Sequence, residues 1–121
     1  MNIGAWFEIP VGDLKRAKAF YESASGLSLT FMDMGDSQME MFPGGPTDAG
    51  AAGALVVSEG YIPSHQGTVI YFATDDIVAF LGRVNAAGGK TLVEKLSIGE
   101  FGFIAQFEDC EGNRIGLHSM S

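Results

Sequence analysis

Three polar side chains interrupt otherwise apolar runs, and their types suit proton transfer. Glu8 lies inside Trp6-Phe7-Glu8-Ile9-Pro10-Val11. In an extended segment Trp6, Glu8 and Pro10 share one face, and Phe7, Ile9 and Val11 share the other. A carboxylate so placed is a general base, an anchor for a ligand's donor group, or a rim residue satisfied by water. Tyr71, inside Thr68-Val69-Ile70-Tyr71-Phe72, can donate to a carbonyl or enolate oxygen, or be a half-buried core tyrosine. His118 follows Ile115 and Leu117 and shares a face with Gly116. It suits an acid/base partner of Glu8 or a metal ligand, or is a satisfied histidine near the chain end. Glu8, Tyr71 and His118 are the expected catalytic set.

Other residues suit binding. Trp6 shares the face of Glu8. Met39 and Met41, with Met32 and Met34, alternate in the first half. They form an adaptable apolar wall or part of the core. Glu100 and Phe101 lie between Gly99 and Gly102, which fits a mobile flap or a plain hairpin turn. Trp6, Met39, Met41, Glu100 and Phe101 are thus the expected ligand contacts. His65 reads as a solvated loop residue. Nothing near Cys110 in sequence argues for an activated thiol. Gly88-Gly89-Lys90-Thr91 lacks the earlier glycine of a phosphate loop and follows a helix.

The elements that must carry these residues come in two copies. Residues 5–11 and 68–74 are β-rich runs, each leading into an Asp and an aliphatic residue. Leu14, Ala17, Tyr21 and Ala24 then recur at helical spacing, and Ile77, Phe80, Val84 and Ala87 repeat them at one constant offset. Asp13 and Asp76 suit N-caps, and Gly26 and Gly89 suit left-handed caps at the matching ends. Strands are predicted at 27–33, 38–42 and 53–57, then at 91–95, 103–108 and 114–119. Gly35-Asp36, Pro43-Gly44-Gly45-Pro46 and Gly112-Asn113 supply turns between them. The order is βαβββ twice: residues 1–58, a linker at 59–67, and residues 68–121, within one domain. The fold class is α+β, a curved eight-stranded barrel-like sheet with a cleft.

Composition narrows the partners. The net charge of −8 argues against nucleic acid and an anionic membrane surface, and is compatible with a cationic ligand. Acidity for solubility is the plainer explanation. No apolar run reaches about 18 residues. Residues 1–7 carry no basic region or cleavage-like site, so no signal peptide is expected. One cysteine suits a reducing cytoplasm.

The segment Phe7-Glu8-Ile9-Pro10-Val11-Gly12-Asp13-Leu14, with Arg16-Ala17 and Phe20-Tyr21-Glu22, resembles the opening of vicinal-oxygen-chelate domains. These form the glyoxalase/bleomycin-resistance/dioxygenase superfamily. Asp109-Cys110-Glu111-Gly112-Asn113 through Leu117 resembles their closing turn and strand. Gly53-Ala54-Leu55-Val56 and Ile98 to Phe103 resemble a predicted glyoxalase-related subgroup. The resemblance implies four metal-ligand positions, one on the first and one on the last strand of each half. They fall on Trp6, Val69 and Gly116, and near Leu55 or Val56. None of these side chains offers carboxylate oxygen or imidazole nitrogen to a divalent ion, so no metal and no cofactor are expected. The resemblance implies a homodimer that binds a small organic molecule in the sheet cleft. The alternative is a lyase or isomerase using Glu8, Tyr71 and His118, with or without a displaced metal.

Overall fold

The computed structural model describes residues 2–121; Met1, at the head of the segment read for a signal peptide, lies outside them. The elements run β1 (Trp6–Pro10), α1 (Leu14–Ser25), β2 (Thr30–Asp33), β3 (Ser37–Met41) and β4 (Ala52–Ser58). They continue with β5 (Tyr71–Ala73), α2 (Ile77–Ala86), β6 (Lys90–Ser97), a 3-10 turn (Gly99–Phe101), β7 (Phe103–Glu108) and β8 (Arg114–Ser119). The eight strands divide into two four-stranded mixed sheets, ordered β1-β4-β3-β2 and β5-β8-β7-β6. β1 runs parallel to β4, β5 runs parallel to β8, and the remaining pairs are antiparallel. The sheets curve without closing. β1 and β5 are both edge strands, so each keeps one unpaired side.

Both helices begin as the sequence predicts. Asp13 accepts the Arg16 amide and Asp76 accepts the Ala79 amide, each at 3.0 Å. α1 ends at Gly26, whose φ of 75° is left-handed. α2 departs from expectation. Its cap is Ala87 at φ −89°, and the left-handed residue is Gly88 rather than Gly89. Gly89 is needed for space: a Cβ there would stand 2.7 Å from the Glu108 carbonyl and 2.8 Å from the Phe20 ring. β2 starts at Thr30, later than predicted. Ser25 Oγ and Glu22 Oε2 accept the Leu27 and Leu29 amides, holding that stretch to α1 instead of to a ladder.

One core joins the two halves. α1 buries Ala17, Phe20, Tyr21 and Ala24; α2 buries Ile77, Phe80, Leu81 and Val84. Phe107 of β7 meets Phe20 at 6.3 Å and Phe80 at 6.0 Å. Phe72 of β5 meets Phe7 at 5.9 Å and Phe42 at 5.6 Å. Fully burying such a ring contributes roughly 1.5–3 kcal/mol, and these rings cross from one half to the other.

A polar hub reinforces the junction. Asp109 is 2% exposed. Its Oδ1 accepts the Glu111 and Asn113 amides, and its Oδ2 accepts the Tyr21 hydroxyl and the Asn113 side-chain amide. Asn113 also donates to the Pro10 carbonyl at the end of β1 and accepts the Ser64 amide of the linker. Next to it, Glu111 accepts the Gly12 amide and the Arg16 guanidinium at the start of α1. The turn between β7 and β8 therefore staples the second half to the first. Burial, then Asp109, push the Tyr21 phenol well above its ordinary value.

Candidate functional site

Glu8 and Trp6 project from the same face of β1, as alternation requires. Trp6 Nε1 donates to Glu8 Oε2 at 3.1 Å, and the Tyr61 hydroxyl donates to Glu8 Oε1 at 2.8 Å. Each carboxylate oxygen thus has a donor and retains accepting capacity. The same contact raises the Tyr61 pKa, because the neighbouring carboxylate disfavours a phenolate. β1's unpaired side faces a groove of about 380 Å³ in the seam between the halves. Trp6 and Glu8 line it together with Ile62, Gln66, Ile70 and Arg114.

Tyr71 sits on the other sheet. It pairs with Gly116, and the row continues to Gln106 on β7. Its ring lies across the glycine: a Cβ at Gly116 would collide with it. The hydroxyl reaches over β8 to Gln106 Nε2 at 2.8 Å, while Arg114 donates to Gln106 Oε1 at 2.7 Å. Arginine has no acceptor, so the amide must turn its oxygen to Arg114 and its nitrogen to Tyr71. The Tyr71 oxygen therefore accepts, and its proton stays free to donate elsewhere.

His118 pairs with Ala73, one same-face step beyond the Tyr71 layer, and its Nε2 lies 2.7 Å from the Phe101 carbonyl. Glu8 lines the seam groove from one sheet, while Tyr71 and His118 stand on the same face of the other sheet, one pleat step apart. Met39 and Met41 are half-buried on β3, and do not line the seam groove. Glu100 and Phe101 form the exposed 3-10 turn, which the His118 contact ties to β8. His65 is bound to Glu108, with Nε2 to Oε1 at 2.7 Å. Tyr61, Gln106 and Arg114 were missed. Gln106 carried a readable signal, since it is a polar break in an apolar strand, as Glu8 is; Arg114, the first residue of β8 beside the Gly112-Asn113 turn, carried none. Tyr61, in the linker, carried none.

The strand register fixes the fourth ligand position that the resemblance left open. Glu8 pairs with Ala54 as Tyr71 pairs with Gly116. The offset that carries Glu8 to Tyr71 carries Trp6 to Val69, so the partner of Gly116 is Ala54. Leu55 faces the core instead, 0% exposed within the hydrophobic cluster. Trp6, Ala54, Val69 and Gly116 supply no metal donor, and the Tyr71 ring covers the last of them. Among the described residues, no group of three or more His, Cys, Asp or Glu is arranged to hold a metal ion. The donor set does not fit a divalent ion at that place.

A family model described as Glyoxalase/Bleomycin resistance protein/Dioxygenase superfamily matches residues 5–117. Proteins named "Putative glyoxylase CFP32" from Mycobacterium bovis and Mycobacterium tuberculosis are 31% identical over 108 residues, 88% of this chain. The match is 40% of their length, so the chain spans about two fifths of these relatives. A glyoxalase/bleomycin resistance protein from Streptomyces sp. CB03234 superposes with a TM-score of 0.72 at 27% identity, covering 96% of this chain and 99% of that one. TnmS3 from the same organism, an antibiotic binding protein, gives 0.71 at 25% identity, covering 100% and 98%. Glyoxalase I from Zea mays gives 0.69 at 23% identity, covering 96% of this chain and 45% of that one, a likeness of fold alone. No helix among the described residues is long and apolar enough to cross a membrane. With nearly its whole length matched and both βαβββ halves in place, the chain belongs to the glyoxalase/bleomycin resistance protein/dioxygenase superfamily.

Proposed function

We propose that the chain binds a small organic molecule in the seam groove without a divalent metal. The observation that carries this reading is the replacement of metal donors by Trp6, Ala54, Val69 and Gly116, beside a groove that holds an ordered carboxylate. Glu8 only accepts, so it selects a donor or cationic group. The Trp6 indole next to it offers an aromatic face for the same group. Arg114, in the same lining, selects an acceptor, and Ile62 and Ile70 suit an apolar body. The volume is within the usual range for small-molecule sites, roughly 300–1,000 Å³. The antibiotic-binding activity named for TnmS3 supports a binding role.

The lyase or isomerase reading has weaker support. Its acid–base set is divided between the two sheets, with Glu8 engaged by Trp6 and Tyr61, Tyr71 by Gln106 and His118 by the Phe101 carbonyl, and a proton-transfer site needs its groups within hydrogen-bond reach of one substrate. A second copy of the chain remains part of the proposal. All four β2 residues are exposed, and Phe31, Met32 and the following Met34 present apolar surface along that edge. Light scattering on the purified protein tests this: a mass of two chains supports it, and one chain at high micromolar concentration rejects it.

Trp6 is the one tryptophan, so its fluorescence reports on the groove directly. Amphiphilic aromatic amines should change it saturably, and matched carboxylates should do so more weakly. Glu8→Gln should abolish the preference for amines. Preference for carboxylates in the native protein would reject the assignment of Glu8.

A further inference from the structure

The unpaired side of β5 borders a second groove, of about 400 Å³. The α1 C-terminus, α2 and the loop between β3 and β4 complete it. Phe7, Phe42, Phe72 and Phe80 contribute aromatic lining, and Arg83 supplies a cation. Arg83 is held in place by two contacts. Its Nε donates to the Ala24 carbonyl at 2.8 Å, and its guanidinium carbon lies 5.4 Å from the Phe80 ring centre. Among the described residues Arg16 pairs with Glu111, Lys18 with Glu40 and His65 contacts Glu108, and Arg83 is in none of these contacts. Its terminal nitrogens make no hydrogen bond within the described residues. A positioned guanidinium without an acidic partner is notable in a chain of net charge −8. It can meet a planar anionic group with two parallel hydrogen bonds.

We propose that this groove is a second binding site, for a planar aromatic molecule bearing one carboxylate or sulfonate. The ring system lies against the groove side of the mutually packed Phe7, Phe42 and Phe72, and the anionic group meets Arg83. Its chemistry is opposite to that of the seam groove, where Glu8 favours cations. Phe7, Ala51 and Ile70 line both grooves and form the wall between them.

Two fluorescent probes test this on the full chain: 1-anilinonaphthalene-8-sulfonate, and N-phenyl-1-naphthylamine, which has the same ring system without the sulfonate. The sulfonate should bind saturably and more tightly. Amide NMR shifts should fall at Ala24, Thr74 and Arg83, with the Trp6 indole unmoved. Arg83→Met should weaken the sulfonate about tenfold, the scale of one charged hydrogen bond, and leave the neutral probe unchanged. An unchanged sulfonate affinity in that variant, or shifts centred on Trp6, overturns the proposal. Should Arg83→Met fail to melt cooperatively, the native protein decides. A preference for the sulfonate of about fivefold or more that falls with added salt supports the site, and equal affinity for both probes overturns it. The Trp6 readout keeps this outcome separate from the fate of the seam groove.

Discussion

The loop between β3 and β4 and the turn between β7 and β8 hold equivalent places in two copies of one motif, yet their roles differ. The second is a tight turn whose buried Asp109 gathers four hydrogen bonds and ties α1, β1 and the linker to the second half. The first spans residues 42–51, is largely exposed, and contributes Pro43 and Ala49 to the groove beside β5. One copy of the repeat fastens the molecule; the other shapes a surface. The equivalent pairs Glu8–Ala54 and Tyr71–Gly116 divide similarly. The first leaves a carboxylate open to a groove, and the second fills its place with a ring.

The largest expected effect breaks this division at its strongest point. Asp109→Ala leaves several buried donors without an acceptor, each costing roughly 1–3 kcal/mol. We expect a loss of about 3 kcal/mol or more in urea unfolding. Replacing residues 44–48 with a short Gly-Ser link should change stability by less than about 1 kcal/mol, since loop closure depends weakly on length. Similar losses in both variants would show that the two turns do not divide the work.

Gly116→Ala comes next. Its methyl collides with the Tyr71 ring and should cost about 1–3 kcal/mol, as overpacking does. Tyr71→Ala in the same chain should recover most of that loss. At the equivalent position, Ala54→Gly should cost about 1 kcal/mol and need no such rescue. Calorimetric melting of the three variants gives the comparison. Gln106→Leu should cost about 0.5–1.5 kcal/mol by removing the bridge between Arg114 and Tyr71.

The smallest effect concerns Cys110, in the fastening turn. Burial first, then the charges of Asp109 and Glu111, push its thiol from 9.0 up to about 11. The folded chain therefore holds this proton while the unfolded chain releases it. The contribution to stability is complete below pH 9.0 and is lost as pH rises through about 11. Reaction with a disulfide reagent at pH 8 should be much slower in the native protein than in urea. Equal rates would place the thiol outside that environment.

Much of the fold was readable because its causes are local. Asp13 and Asp76 cap their helices through their own side chains, and the alternation around Glu8 follows from the pleat. β7 and β8 occupy 103–108 and 114–119, as the alternation predicts. Gly89 was misread because a glycine required for close approach and one required for left-handed backbone look alike in sequence. The curved eight-stranded arrangement of two βαβββ halves formed as expected, as two four-stranded sheets; nothing in a strand's own residues says which edge stays unpaired. The candidate site was only half legible. Alternation put Trp6 and Glu8 on one face, but Tyr61 meets Glu8 and Arg114 joins the groove lining through chain reversals that no short-range pattern records. The motif that identifies the superfamily, Asp109 to Asn113, proved to be a fastening in the structure.

Metal titration by calorimetry addresses the seam groove most directly. With nickel, zinc and manganese, the protein should show no tight stoichiometric binding, and a chelator should leave its melting temperature unchanged. Tight binding at one ion per chain, abolished by Glu8→Ala or His118→Ala, would contradict the metal-free reading.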